Sequence, residues 1–221
     1  MADEVTRGIL VLMFDIDSFV AACRAARHEV DAPERIAALL AKIVEDPAAI
    51  EEAVEKRRAG KRAGEMAEVF ASDDDLTIYQ LSFPSNLFGA PHDHAGWAVI
   101  GVYSGVEAFN LYTEAKGALA KTGRQVLRAP EVAVLRADLI HDIDNPGGVA
   151  SGSIHVYSNR HFDLPSRRIW RDESALPEPF TLARSFEYGM ERTSRRRKEL
   201  GLGDAEVPLM PSLDAVRPGP K

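Results

Sequence analysis

The sequence predicts a mainly β fold, an antiparallel sandwich or closed barrel, with helices at both ends of the chain. From about residue 65 short apolar runs alternate with Gly, Pro, Asn and Ser. The runs cover residues 76–83, 97–103, 106–112, 125–128, 131–135 and 153–158. Many short strands at such spacing are typical of sandwiches and barrels. No helix of useful length fits between them, which excludes parallel strand–helix–strand units.

The N-terminal part predicts helices, because apolar side chains recur there every three to four positions between residues 15 and 60. Asp31 opens a second helix after a first one over 18–28, and Asp46 caps a third for which Gly60 is a stop. These helices are expected to pack on the strands that follow.

The C-terminal part predicts one more helix over residues 181–200, with a basic last turn that suits the negative end of the helix dipole. A proline-rich tail follows it. We therefore expect a helical region at 1–64, a β-barrel at 65–172, and a helix with a tail at 173–221.

The composition excludes several classes of partner. The chain has 221 residues with 34 acidic and 27 basic side chains, a formal charge of −7. Such a chain repels nucleic acid and anionic membrane surfaces, so neither is an expected partner. Cys23 is the only cysteine, which rules out an internal disulfide. The apolar run at 8–14 is too short for the roughly 20 residues of a membrane span, so we expect a cytoplasmic protein.

Three of the six histidines are candidate metal ligands. His92 and His94 flank Asp93, and residues two apart on a strand share a face, so both imidazoles can bind one metal. His141 follows where a later strand meets a turn. Three neutral imidazoles suit Fe(II) with open positions for substrate and O2, or equally a catalytic zinc.

A second polar cluster lies at Ser153, His155 and Tyr157, which alternate with the apolar Ile154 and Val156. From the residues alone, His155 can replace His141 as the metal ligand. Alternatively the three groups form an inward row of hydrogen bonds beside the metal, because a buried polar row must be satisfied internally. His28 closes a helix and is interpreted as structural, whereas His161 lies in a loop and is left unassigned, with a structural role favoured.

The segment from Pro91 to Gly105, PHDHAGWAVIGVYSG, resembles the first sequence motif of the cupin superfamily, and within it of the cysteine dioxygenase-like thiol dioxygenases. Ordinary cupins place a glutamate where this chain has Ala98 and Val99, and its absence marks the three-histidine branch. The resemblance covers roughly 65–172 and implies a double-stranded β-helix, a jelly-roll barrel. Residues 154–157 and 168–170 look closest to an uncharacterised bacterial subgroup.

The resemblance also implies roles for the polar residues. His141, with Asn145, matches the third metal ligand of the family, and Ser153, His155 and Tyr157 match its hydrogen-bonded triad beside the metal. The implied activity is oxidation of a small organic thiol to its sulfinate with Fe(II) and O2. Tyr157 then donates a hydrogen bond, His155 orients it and Ser153 orients His155.

The residues of the substrate pocket are predicted from strand alternation together with the family resemblance. Tyr79, Leu81 and Phe83 share the inward face of one strand, and Trp97 and Arg168 are expected to join them. Two other functions use the same metal: a three-histidine dioxygenase that cleaves a carbon–carbon bond in a diketone-like substrate, and a non-catalytic cupin that binds a metal or small ligand.

Two departures from the family bear on the substrate. Cys23 lies far from the motif, so the cysteine–tyrosine crosslink of some animal members is not available. Family members bind the substrate carboxylate with an arginine or glutamine, but the matching window 65–72 holds Glu65 and Glu68 instead. Cysteine and 3-mercaptopropionate are thus expected to be poor substrates, and a neutral or amine-bearing thiol a better one.

The opposite expectation depends on a cation from elsewhere in the chain. Arg62, Arg167 or Arg168 can replace the missing cation, and Arg167 or Arg168 can reach the mouth of the barrel and restore carboxylate binding by a two-pronged contact.

Overall fold

The computed structural model describes residues 14–59 and 65–204. The apolar residues 8–13, Gly60, Arg62 and the tail after residue 204 lie outside the described residues. Within the described ranges, no helix has both the length and the apolar character needed to cross a bilayer.

Four helices form at the predicted places. Their bounds are Ile16–Ala26 (α1), Ala32–Ile43 (α2), Pro47–Arg58 (α3) and Leu182–Glu199 (α4). Three of them begin at side-chain caps, in which an oxygen of Asp15, Asp46 or Thr181 accepts a hydrogen bond from a backbone N–H of the first turn. Each cap satisfies a backbone group that the helix leaves without a partner.

Ten strands make up the rest of the fold within residues 14–59 and 65–204, which is mainly β as predicted. They are Ala67–Ser72 (β1), Thr77–Phe83 (β2), Ala98–Ser104 (β3), Val106–Ala115 (β4), Ala118–Arg128 (β5), Val132–Leu135 (β6), Ile140–His141 (β7), Ser151–Tyr157 (β8), Arg168–Ile169 (β9) and Glu178–Pro179 (β10). A five-stranded sheet has the order β1-β2-β8-β3-β6, and a second sheet the order β5-β4-β7. All the strand pairs are antiparallel.

The hairpin of β4 and β5 is longer than the apolar runs predict. Its two-residue turn, Lys116-Gly117, has positive φ angles of 53° and 80°, which match the turn that suits the twist of a hairpin. Gly123 does not end the strand but pairs with Leu111 beside a shift in register. The outer half of this hairpin is exposed and polar, so hydrophobic periodicity does not reveal it.

The five-stranded sheet is buried on both faces, and β8 shows how. Ile154 and Val156 pack outward against a core shared with α1, α2 and α3. Tyr157, one position on, packs inward with residues of both sheets. The helices thus cover the outer face, and the alternate side chains of β8 are directed into the barrel.

Helix α4 covers one end of the barrel and is attached through Arg192, which is 6% exposed. Its guanidinium donates to Asp142 Oδ2 at 2.6 Å, to the Tyr112 hydroxyl at 3.1 Å and to Glu173 Oε1 at 2.8 Å. Thr193 Oγ1 accepts from the backbone N–H of Phe88 at 2.9 Å. These contacts hold α4 against β4 and β7.

Replacing Arg192 with methionine is expected to destabilise the fold strongly, because it leaves the buried carboxylate of Asp142 without its cation. Losing one partner of a buried pair typically costs about 3–5 kcal/mol. Arg171→Met is the matched control, since Arg171 pairs with glutamates at the exposed surface of the same helix and such pairs contribute about 1 kcal/mol or less. Urea unfolding measures both, and equal losses would contradict the assigned role of Arg192.

Candidate metal centre

The first two predicted ligands lie on an extended segment that precedes the regular strand. β3 begins only at Ala98, whereas a strand start was expected at His92. His92 is held instead by backbone hydrogen bonds to His141 in both directions, of 2.8 and 3.0 Å. The side chains still alternate, because Asp93 points to the opposite side of the segment from His92 and His94. The predicted shared face therefore does not depend on a regular strand.

His141 completes the group from the second sheet, where β7 pairs with Leu111 of β4. Its Nε2 lies 3.0 Å from Nε2 of His94, which lies 3.3 Å from Nε2 of His92. Two nitrogens bound at about 2.1 Å to one metal are about 3.0–3.4 Å apart at octahedral to tetrahedral angles. Both distances from His94 match this spacing, and the ligand atoms of all three histidines lie within 4.8 Å of one another. We call this group the three-histidine centre.

All three imidazoles are neutral at neutral pH, which is the form that binds a metal. Burial lowers the pKa of His92 to about 4. Burial and the neighbouring histidines hold the pKa values of His94 and His141 well below the usual range. His92 Nδ1–H donates to the carbonyl of Ala90 at 3.0 Å, which leaves its Nε2 as a lone pair. With His94 and His141 also deprotonated at Nε2, three lone pairs face one another, and a shared cation relieves their repulsion.

The structure brings Ser153, His155 and Tyr157 into one hydrogen-bonded line, here named the polar row. Ser153 Oγ lies 2.9 Å from His155 Nε2, and His155 Nδ1 lies 2.9 Å from the Tyr157 hydroxyl. Tyr79 extends the row, because its hydroxyl is 3.0 Å from that of Tyr157. His155 uses both ring nitrogens here and is not part of the three-histidine centre, so the geometry favours His141 as the ligand.

Tyr157 is the link between the polar row and the three-histidine centre. Its ring makes an edge contact with the ring of His94, with 4.9 Å between centroids. Burial raises the pKa of Tyr157 well above its usual value, so the phenol keeps its proton. A hydrogen-bond donor therefore stands beside the candidate metal ligands.

His92 and His141 of the centre, and His155 and Tyr157 of the polar row, line a cavity of about 150 Å³ between the barrel and α4. Its wall is mainly apolar, and it includes Tyr79, Leu81 and Phe83 as strand alternation predicts, together with Phe186 of α4. An apolar cavity of this size holds a molecule about as large as benzene. The cavity therefore has room for a small molecule.

Arg167 brings a positive charge to this cavity. It is fully buried, and its Nε donates to the carbonyl of Asp93 at 3.0 Å while Nη1 donates to the carbonyl of His161. The guanidinium lies over the ring of Phe180, 3.6 Å from its centroid. Nη2 has no hydrogen-bond partner among the described residues. Burial lowers the pKa of Arg167 to about 10, so the group stays a cation at neutral pH.

His161 also lines the cavity, although the sequence offered only a structural interpretation for it. Its ring stacks on that of Tyr157 with 3.5 Å between centroids. Its Nδ1 has no hydrogen-bond partner among the described residues. The imidazole thus helps to hold Tyr157 in place beside the three-histidine centre.

Two residues expected in the pocket lie elsewhere. Arg168 Nε donates to Asp93 at 2.8 Å and its Nη1 donates to Glu114 at 2.9 Å, so its guanidinium is engaged at the surface. Trp97 packs against the core under the N-terminal helices. Neither is among the residues that line the cavity. Arg167, the residue just before β9, lines the cavity, whereas Arg168, the first residue of β9, is directed to the surface.

The two glutamates of the window 65–72 are also absent from the cavity wall. Glu68 is buried on the other face of β1, where its carboxylate lies 3.3 Å from Nε of Arg57 and 4.0 Å from Nε of Arg58. Ala67 and Val69 are the residues of β1 that pack inward. The expected repulsion between Glu68 and a substrate carboxylate is therefore wrong.

The sequence offered Arg167 as one of three candidate cations for the pocket, and the structure selects it over Arg168. His161 is assigned to the cavity only by the structure. Both lie in the irregular segment between β8 and β9, where no periodicity indicates which side chains point inward. The only signal in the sequence is the density of His, Arg and aromatic residues from 160 to 170.

No known protein family's sequence profile matches the chain, and no curated protein matches it significantly. Solved structures do match. An uncharacterised Klebsiella pneumoniae protein with a double-stranded β-helix domain has 18% identity and a TM-score of 0.37, over 52% of this chain and 92% of its own. An RmlC-like cupin family protein from Methanocaldococcus jannaschii has 11% identity and a TM-score of 0.37, over 45% and 86%.

Oxalate oxidase in complex with the substrate analogue glycolate also matches, with 16% identity and a TM-score of 0.36, over 47% of this chain and 54% of the oxidase. The fold of the described residues is mainly β, with antiparallel sheets and helices at both ends. Within this fold, the three-histidine centre is a group that could hold one metal ion.

Proposed function

We propose that the protein is a non-haem Fe(II) dioxygenase that oxidises a small organic thiol to its sulfinate, so that both atoms of O2 enter the product. The supporting observation is that two residues of the three-histidine centre, His92 and His141, line the same cavity as Tyr157. Three neutral imidazoles without a carboxylate suit Fe(II) and leave coordination positions open. When bound, the iron supplies positions for the thiolate and O2 and the electrons that O2 activation requires.

The polar row supplies a positioned hydrogen-bond donor for this reaction. Because the pKa of Tyr157 is raised by burial, the phenol donates a hydrogen bond rather than ionising. His155 and Ser153 fix its orientation through contacts of 2.9 Å each. A protein that merely stores a metal has no use for such a donor, which favours the enzyme over the non-catalytic alternative.

Arg167 changes the expected charge of the substrate. The preference for a neutral or amine-bearing thiol assumed glutamates in the pocket, but the charged side chain at the cavity wall is a buried arginine with a free Nη2. A carboxylate is the natural partner of a guanidinium in a partly dry site. We therefore propose an anionic thiol whose acid group binds Arg167 and whose sulfur reaches the three-histidine centre.

The size of the cavity restricts the choice further. About 150 Å³ accommodates a thiol of the size of 3-mercaptopropionate or cysteine and excludes bulky peptides. Helix α4 forms part of the wall through Leu182, Phe186 and Met190, so a longer substrate would have to displace that helix.

The test is oxygen uptake after anaerobic reconstitution with Fe(II). The panel contains 3-mercaptopropionate, its neutral amide 3-mercaptopropanamide, cysteine, cysteamine and a β-diketone. We expect uptake with 3-mercaptopropionate or cysteine, one O2 consumed per sulfinate formed, and poor turnover of the amide and of cysteamine. Turnover of the diketone alone would instead support carbon–carbon bond cleavage, and no turnover with a fully loaded site would support the non-catalytic alternative.

A further inference from the structure

A buried carboxylate stands at the far end of the polar row, and the proposed function has not used it. Glu107 of β4 is fully buried and shares the inward face of the strand with Phe109. Its Oε1 accepts a hydrogen bond from Ser151 Oγ at 3.0 Å. Its Oε2 has no hydrogen-bond partner among the described residues and lies 3.8 Å from Nε2 of His155. Burying a carboxylate oxygen without a hydrogen-bond partner lowers the stability of the fold. The position of Oε2 beside the polar row therefore suggests a functional role.

The direction of each hydrogen bond in the polar row depends on the direction of the next one. Ser153 has one proton to donate and neutral His155 has one N–H, so only two arrangements satisfy the contacts. In the first, Ser153 donates to Nε2, and Nδ1–H of His155 donates to the Tyr157 oxygen. The Tyr157 O–H is then not bound to His155, and it can donate into the cavity while the Tyr79 hydroxyl, 3.0 Å away, donates to the Tyr157 oxygen or receives the proton instead. In the second, Nε2–H donates towards Ser153, and Tyr157 donates its proton to Nδ1.

The charge of Glu107 favours one arrangement over the other. An ionised carboxylate 3.8 Å from Nε2 attracts a proton to that nitrogen and stabilises the second arrangement. A protonated carboxyl lacks this attraction, so the first arrangement is accessible. Both groups are buried, and the low dielectric of the interior strengthens the attraction between the carboxylate of Glu107 and the N–H of His155.

We propose that Glu107 is a positioning residue that selects the tautomer of His155, and that its neutral form leaves the Tyr157 O–H free to donate into the cavity. The proposal rests on the proposed function only for what Tyr157 donates to. The selection of the tautomer belongs to the protein itself.

Glu107 changes its charge in a pH range where its neighbours do not. Burial raises its pKa to about 7, partly offset by the hydroxyls of Ser153 and Ser151. The titratable groups packed around it are His155, whose pKa burial lowers to about 3, and three phenols. Burial raises the pKa of Tyr79 and of Tyr103 to about 12, and that of Tyr157 well above its usual value. A change near pH 7 in this cluster is therefore assigned to Glu107.

The experiment reads the tautomer of His155 by ¹⁵N NMR in the zinc-loaded protein between pH 5.5 and 8.5, with the signal assigned through His155→Gln. In the wild type we expect the proton on Nδ1 at the acidic end and on Nε2 at the basic end. Glu107→Gln should keep it on Nδ1 throughout. Glu114→Gln, an exposed carboxylate of the same strand, is the matched control and should behave as the wild type.

Ser151→Ala provides a second, milder variant. It removes a hydrogen bond that stabilises the ionised form of Glu107, so the change of tautomer should move to higher pH. A wild-type tautomer that stays constant over the range, or an unchanged transition in Glu107→Gln, would overturn the proposal.

Turnover of the preferred thiol should also decline above about pH 7 in the wild type and be independent of pH over this range in Glu107→Gln. If no thiol is oxidised, the proposed function fails while the NMR result still decides the role of Glu107.

Discussion

Replacing His94 with alanine is expected to abolish metal binding, and His92→Ala and His141→Ala should do the same. Each supplies one of three nitrogens that lie within 4.8 Å of one another, and the described residues hold no spare ligand in this group. His155→Ala should keep most of the metal, because His155 contacts Ser153 and Tyr157 and not the centre. Changes beside a metal site typically cost about 10- to 100-fold in affinity or activity, rather than all of it.

The measurement is metal content per chain together with titration by Fe(II) or Co(II) under anaerobic conditions. His28→Ala is the control, since His28 is exposed and far from the barrel interior. His161→Ala should also retain metal, because His161 lies outside the three-nitrogen group. Loss of metal in His155→Ala with retention in His141→Ala would reverse the assignment of these two histidines.

Replacing Arg167 with glutamine is expected to raise the KM for the anionic thiol about 10- to 150-fold, which corresponds to the loss of about 1.5–3 kcal/mol for a hydrogen bond to a charged group. The reason is the position of Nη2, which is buried at the cavity wall without a partner. Turnover of the neutral amide, slow as it is, should change little. Arg167→Lys should recover only part of the effect, because an ammonium lacks the planar fork.

Arg168→Gln is the matched control, because it removes the neighbouring arginine, which pairs with Asp93 and Glu114 at the surface. It should leave the KM within a few-fold of the wild type. Arg167 also holds the backbone at Asp93 and His161, so each variant needs its metal content and thermal stability measured. A second test uses the wild type alone and compares its turnover of 3-mercaptopropionate with that of the neutral amide. A KM that responds to Arg168→Gln and not to Arg167→Gln would contradict the assignment.

The local chemistry of the sequence predicts the larger features well. Caps such as Asp46 and periodic apolar residues locate the four helices, and alternation in β8 separates the side chains of Ser153, His155 and Tyr157 from Ile154 and Val156. Both signals depend on residues close together in the chain, which is why they can be read without the fold.

Contacts between residues far apart in the sequence could not be predicted in this way, as β1 shows. The sequence places Glu68 in the strand that borders the pocket, but only the packing of α3 shows that Arg57 draws it to the outer face. The same applies to Glu107. The sequence shows that Glu107 and Phe109 share one face of a strand. That Glu107 lies near His155 depends on how the second sheet packs against β8.

By itself, the sequence determined the mainly β architecture with helical ends, the pair His92 and His94 on one face, and the shared face of Ser153, His155 and Tyr157, because each follows from short-range alternation or capping. The family resemblance implied His141 as the third ligand, and the tertiary structure brings it to the pair. The tertiary structure alone decided that Arg167 rather than Arg168 lines the cavity and that α4 forms part of its wall. These outcomes depend on which distant segments pack together. The free energy of that packing is the sum of many burial and pairing contributions spread along the chain, so no single stretch of sequence carries it.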